Sequence, residues 1–226
     1  MPIPIREVGF YYNLHVNIHS FMYSALTIRK YMPYAPVHLV TDRDLPNLEQ
    51  YKVVAELLDL PITIRNTRCT YINGADDLDF NISKMYEWFD RMYYMCELLG
   101  TKWVVRMEDD VYLRSPITKF PDTDAGGSHI AHGMGGGTIF NRLAFMEMYK
   151  KLDYDYIDKK CRENETNNFA GDGILRYMFT ENGYGYSKWE DITEDWHGID
   201  PDAALHHGDK ALYDKDYLRR RGWVNA

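Results

Sequence analysis

The sequence predicts an α/β domain built on a mostly parallel central sheet flanked by helices. Two observations carry this prediction. Over the first hundred residues, short apolar runs alternate with helical patterns, as in βαβ units, whose strands run parallel with helices on the faces of the sheet. With 226 residues, 45% hydrophobic and 27% charged, the chain also has material for one sizeable core, and no internal repeat or low-complexity linker divides it. The expected organisation is a single domain over residues 1–226, in which about 1–110 form a nucleotide-binding half and about 111–226 an acceptor-binding half.

In chain order, Val8 to Tyr12 reads as a short apolar strand. Ile18, Phe21, Met22, Ala25 and Ile28 then share one face of a helix that Pro33 and Pro36 end. Val37-His38-Leu39-Val40 is a second buried strand, running into the polar Thr41-Asp42. A helix over about Leu48 to Leu58 and a strand at Ile62-Thr63-Ile64 follow. Ile82, Met85, Phe89, Met92, Cys96 and Leu99 recur at spacings of three and four, giving a long amphipathic helix that stops at Gly100. Lys102 to Met107 is the next strand, and further helices are expected near Leu143 to Leu152 and Gly173 to Phe179.

Charge and cysteine content narrow the function. A net charge of −8 lacks the basic footprint of a nucleic-acid binder, so an anionic ligand would need local groups or a bound cation. Three cysteines, Cys69, Cys96 and Cys161, show no paired spacing, which argues against a disulfide framework or a zinc site and favours a reducing compartment. No run of about 18 apolar residues is long enough to span a bilayer. The expectation is a soluble, cytoplasmic protein; a domain trimmed from a larger or anchored protein would read the same.

The most informative stretch is Glu108-Asp109-Asp110, directly after the strand ending at Met107, where the ligand edge of a parallel sheet lies. In extended backbone, side chains two apart share a face, so Glu108 and Asp110 can point together at a cation while Asp109 points away. A hard divalent ion such as Mg²⁺ or Mn²⁺ suits a few carboxylates completed by water and phosphate oxygens. A solvated acidic turn is the alternative. Asp76-Asp77-Leu78-Asp79 has comparable spacing but follows Asn73-Gly74 with no strand before it, and reads as a loop and helix N-cap.

Three further groups stand out. His132-Gly133-Met134-Gly135-Gly136-Gly137 is either a flexible turn or a loop whose bare backbone lets a ligand come close. Asp172, opening an apolar-periodic helix, is either its N-cap or a general base that takes a proton from a hydroxyl. His206-His207-Gly208-Asp209-Lys210 offers an imidazole for a metal and an ammonium for a diphosphate, or is a polar surface segment.

Taken in order, these pieces resemble the GT-A glycosyltransferases, whose fold is Rossmann-like. The resemblance covers most of the chain and includes Ile28-Arg29-Lys30-Tyr31 through Thr41-Asp42 as a first nucleotide-binding unit. It implies a transferase using Mn²⁺ or Mg²⁺ and a nucleotide-sugar donor, UDP-sugar before GDP-sugar, with a glycan or glycoprotein acceptor. It implies Asp110 as direct metal ligand, Glu108 and Asp109 at the metal's waters or the donor's ribose and sugar, and His206 or His207 as the ligand from the tail. It further implies Tyr11, Tyr12, Asn13 and Asp42 around base and ribose, Lys84 and Arg91 at the phosphates, Lys210 at the diphosphate, Gly136 and Gly137 on the acceptor side, and Asp172 as base of an inverting transfer. The Glu-Asp-Asp motif departs from strict Asp-x-Asp, leaving open which carboxylate touches the metal.

Other readings stand beside this one. A retaining transferase can use the same metal site without a base. A metal-dependent nucleotidyltransferase or phosphohydrolase also holds metals on acids after a strand, yet needs a second acidic group that the sequence does not offer convincingly. A non-catalytic carbohydrate-binding protein would draw on the 19 tyrosines for stacking, although aromatic residues more often serve the core.

Overall fold

The computed structural model describes residues 7–14, 18–66, 78–128, 137–163, 171–194 and 200–208, and of 78–82, 160–161, 171–172 and 194 only the backbone. The first half follows the expected alternation: β1 (Val8–Asn13), α1 (Ile18–Tyr31), β2 (Val37–Asp42), α2 (Leu48–Leu57), β3 (Ile62–Arg65), α3 (Leu78–Leu99) and β4 (Trp103–Met107). The second half adds β5 (Val111–Leu113), β6 (Ala125–Gly127), β7 (Gly137–Asn141), α4 (Arg142–Lys150), α5 (Tyr154–Glu163), α6 (Gly171–Glu181), β8 (Tyr186–Lys188), β9 (Ile192–Glu194) and β10 (Leu205–His207).

Seven strands form the central sheet in the order β3-β2-β1-β4-β7-β6-β8. β1, β2, β3 and β4 pair in parallel, as do β6 and β8, and β7 alone runs against its neighbours. The parallel reading therefore holds, and the carboxyl ends of β1, β2 and β4 lie together. A second sheet, β5-β10-β9, is absent from the sequence prediction because its strands are only three residues each, too short for a periodic pattern.

Two apolar cores cover the faces of the sheet. Alternation along β1 and β4 sends Phe10, Tyr12, Trp103, Val105 and Met107 into one, with α1 and α2. Tyr11 and Val104 go into the other, with α3, α4 and α6. The α3 stripe Met85, Phe89, Met92, Cys96 and Leu99 is buried there as the spacing requires, and Gly100 ends the helix at φ 61°, a left-handed conformation that glycine adopts without Cβ strain. Asn141 starts α4 by accepting from the amides of Leu143 and Ala144 at 3.0 and 3.2 Å, an N-cap.

Helix α1 departs from its predicted face. Phe21, Ala25 and Ile28 are buried, whereas Met22 is 38% exposed. The rest of the buried arc is polar: Ser20, Ser24 and Thr27. Ser24 and Thr27 meet strand β5, which follows the acidic motif. Ser24 donates to the carbonyl of Val111 and accepts from the Tyr12 hydroxyl at 2.5 Å, while Thr27 Oγ1 accepts from the Leu113 amide at 3.0 Å. These hydroxyls satisfy the open edge of a strand whose other edge pairs with β10.

Candidate metal and donor site

The acidic motif occupies the turn between β4 and β5, with the Val111 amide donating to the Glu108 carbonyl at 3.2 Å. Strand β10 lies antiparallel to β5, opposing His207 to Val111 and His206 to Tyr112. One backbone bond, from the Gly208 amide to the Asp110 carbonyl at 3.1 Å, ties the end of β10 to the motif.

Glu108, Asp110 and His207 converge, each offering a ligand atom within 4.8 Å of the others. His207 Nε2 lies 3.5 Å from Asp110 Oδ1, and both side chains are buried. Both carboxylate oxygens of Asp110 are enclosed and accept no hydrogen bond among the described residues. Such a group is costly to bury. Two carboxylates and an imidazole fit a divalent cation of the Mn²⁺ or Mg²⁺ type, which would offset that cost. Asp109 is outside that group; it stands near Tyr12 and Tyr51, where burial first and its negative charge next push both phenol pKa values up.

Strand alternation separates the two tail histidines. His207 faces the acids, whereas His206 turns its Nδ1 to the Tyr112 hydroxyl at 2.9 Å and packs against that ring, tilted by 35° with centroids 5.1 Å apart. Of the two histidines expected as alternatives, His207 is the one brought to the acids, and His206 packs against Tyr112.

At the ends of β1 and β2 the expected donor residues form a different arrangement. Arg91 is almost wholly buried and donates to Asp42 at 2.5 Å, to Glu87 at 2.9 Å and to Asn13 at 3.4 Å. Glu87 also accepts from Arg65 at 3.1 Å. Arg91, expected at donor phosphates, is thus spent on carboxylates, and what it does is fix Asn13 and Asp42. Lys84 is also buried, seven residues before it on α3. Tyr11 and Tyr12, expected around base and ribose, are interior: Tyr12 packs edge-on against Phe21 at 5.2 Å, and Tyr11 belongs to the core beneath α3. Their rings lack the exposed faces a base would stack on.

Gly137 opens β7 opposite Met107. A Cβ there would run into the Cδ1 of Ile192 and stand 3.2 Å from Val111 Cγ1. Side chains of the second sheet fill its space, so the glycine expected on the acceptor side packs between the sheets. Gly136, the preceding histidine-glycine segment, Asp76 and Asp77, and Lys210 lie outside the described residues. Asp172 falls in the first turn of α6, and its side chain is likewise outside them.

One residue of the site escaped the sequence reading. Arg106, on β4 two positions before Glu108, is buried, donates to Glu108 Oε1 at 3.1 Å and lies 5.1 Å over the ring of Trp88. A charged residue inside an apolar strand was the available signal.

A mostly parallel sheet whose central strand ends in acids, met by a histidine from a small second sheet, has the architecture of the GT-A glycosyltransferases. Solved structures carry the same fold. Galactosyltransferase LgtC, in complex with donor and acceptor sugar analogues, matches with a TM-score of 0.57 at 12% identity over 97% of this chain and 96% of its own. Glycosyltransferase GlyE of Streptococcus pneumoniae TIGR4, in its apo form, matches with a TM-score of 0.51 at 9% identity over 89% of this chain and 54% of its own. A second GlyE structure gives 0.50 at 12% identity, over 82% and 45%. The chain thus spans about half the length of GlyE. No protein-family model matches the chain, and no curated protein matches its sequence. Among the described residues no helix is long and apolar enough to cross a membrane.

Proposed function

We propose that this chain is a glycosyltransferase that moves a sugar from a nucleotide-diphosphate donor, UDP-sugar first and GDP-sugar second, to a hydroxyl of a glycan or glycoprotein. The observation that supports it most is the enclosed Asp110 carboxylate beside His207 and Glu108, three ligand atoms placed within reach of one cation. Asp110, His207 and Glu108 would hold Mn²⁺ or Mg²⁺, which when bound neutralises charge on the departing diphosphate.

The chain's own residues supply the rest. The bond between Gly208 and Asp110 fixes the histidine strand to the acid turn, so the ligand set is preorganised. Arg91 holds Asn13 and Asp42 at the carboxyl edge of the sheet, where a nucleoside would lie. Asp172 serves as the base that takes the acceptor hydroxyl's proton in an inverting displacement, and Lys210 neutralises charge on the departing diphosphate; both assignments rest on their place in the order of motifs.

A donor screen tests this reading: purified protein with Mn²⁺ or Mg²⁺ and a panel of UDP- and GDP-sugars, following thermal shift and nucleotide release, with Asp110→Ala as control. A metal-dependent shift with one donor, lost in the control, is the expected result. Silence toward every donor would sink it. The anomeric configuration of the product, read by NMR, then decides the role of Asp172, since retention would leave that base without a task.

A further inference from the structure

We infer that Arg106, through its contact with Glu108, makes cation binding at Asp110 and His207 depend on an anionic diphosphate, so that the ion and the nucleotide load together; this rests on the glycosyltransferase reading above. Three features of the described residues carry the inference. The guanidinium is buried, donates to Glu108 Oε1 at 3.1 Å, and rests on the face of Trp88. Glu108 is one of the three residues whose ligand atoms converge. In the row below it, strand pairing sets Arg106 between Tyr11 of β1 and Thr138 of β7, which fixes its backbone in the middle of the sheet rather than at a mobile rim.

The consequence is one of charge. Glu108, Asp109 and Asp110 bring negative charge to the turn, and Arg106 returns one positive charge within hydrogen-bond distance of Glu108. By offsetting part of that charge, Arg106 lowers the pull on a bare divalent ion and leaves more of the ion's charge to attract a diphosphate beside it. Without Arg106 the acids would offset more of the ion's charge, so it would bind better alone and attract the nucleotide less. Affinity of oxygen-ligand sites rises with the number of negative ligands, and a neighbouring cation works against it. Linkage then requires that whatever the diphosphate adds to ion affinity, the ion adds to diphosphate affinity. Competition for Glu108 acts in the same direction, because an oxygen that accepts from a guanidinium is a poorer metal ligand.

Calorimetric titration of Mn²⁺ into the protein, alone and with saturating UDP or GDP, tests the inference. In the unsubstituted protein, Mn²⁺ is expected to bind weakly alone and at least about tenfold more tightly with the nucleotide. Arg106→Gln should bind Mn²⁺ alone about tenfold more tightly than the unsubstituted protein, with the enhancement by nucleotide reduced by a similar factor. A merely structural role for Arg106 would weaken ion binding, so the sign of the change separates the two. Equal or weaker binding of the bare ion by a folded Arg106→Gln protein would overturn the inference. Should that variant fail to fold by circular dichroism, the unsubstituted protein still decides, since equal Mn²⁺ affinity with and without nucleotide also overturns it. Failure of the unsubstituted protein to bind Mn²⁺ with either nucleotide is a different result, and removes the metal-dependent transferase reading along with this one.

Discussion

Arg91 of α3 donates to Asp42 at the end of β2 across 2.5 Å, with 1% and 5% of the two side chains exposed. The pair joins a helix to a strand 49 residues earlier in the chain. Removing one partner of a buried pair strands the other as an uncompensated charge, which costs far more than the pair contributes on balance. Arg91→Met is therefore expected to lower stability by about 3–5 kcal/mol in chemical denaturation. Arg91→Met with Asp42→Asn should lose clearly less than the sum of the two single changes. Additive losses would mean that the two residues do not act as a pair.

Asp110 presents the opposite case. Its two carboxylate oxygens are buried without hydrogen bonds among the described residues, a cost that a bound cation would offset. Asp110→Asn keeps the shape and removes the charge. In protein stripped of metal by a chelator, this variant is expected to be more stable than the unsubstituted chain by about 1 kcal/mol or more, while the Mn²⁺-dependent thermal shift disappears. A destabilised variant that kept its Mn²⁺ response would count against the site.

Gly137 is where the two sheets touch. Gly137→Ala sets a methyl group against Ile192 and Val111 and is expected to destabilise the protein by about 1–3 kcal/mol. The nearest obstacle is the Ile192 Cδ1, an atom that valine lacks. Adding Ile192→Val should therefore recover part of the loss in a thermal melt, even though that change alone costs about 0.5–1.5 kcal/mol. No recovery would show that glycine is needed there for some reason other than space.

Cys96 is fully enclosed in the core beneath α3, and burial pushes its thiol pKa well above the ordinary value of 9.0. The thiolate is the reactive form, so native protein at pH 8 should leave Cys96 unmodified by a thiol reagent, as mapped by peptide mass spectrometry, while unfolded protein is modified. The folded thiol keeps its proton where the unfolded one loses it, so this group's contribution to stability falls as pH rises above about 9. Labelling of Cys96 at equal rates in folded and unfolded protein would contradict the enclosed position.

The sequence by itself determined the α/β alternation through β4, the length of α3 with its stop at Gly100, and the placing of three acids just past a buried strand. Each of these is local: periodicity reports which face of an element is covered, and residues next to each other in the chain stay together whatever the fold. Tertiary structure decided the partners. His207 rather than His206 meets Asp110 because β10 pairs with β5 in one register, and a shift by one residue would exchange them. Arg91 reads as a phosphate-binding residue until α3 docks on the sheet and turns its guanidinium to Asp42 and Asn13. Gly137 reads as a free loop glycine until the Ile192 side chain from the second sheet fills its space. That Ser24 and Thr27 are buried follows only from β5, which uses their hydroxyls. These contacts join segments tens of residues apart, and no spacing along the chain records which distant polar group will arrive to satisfy a buried one.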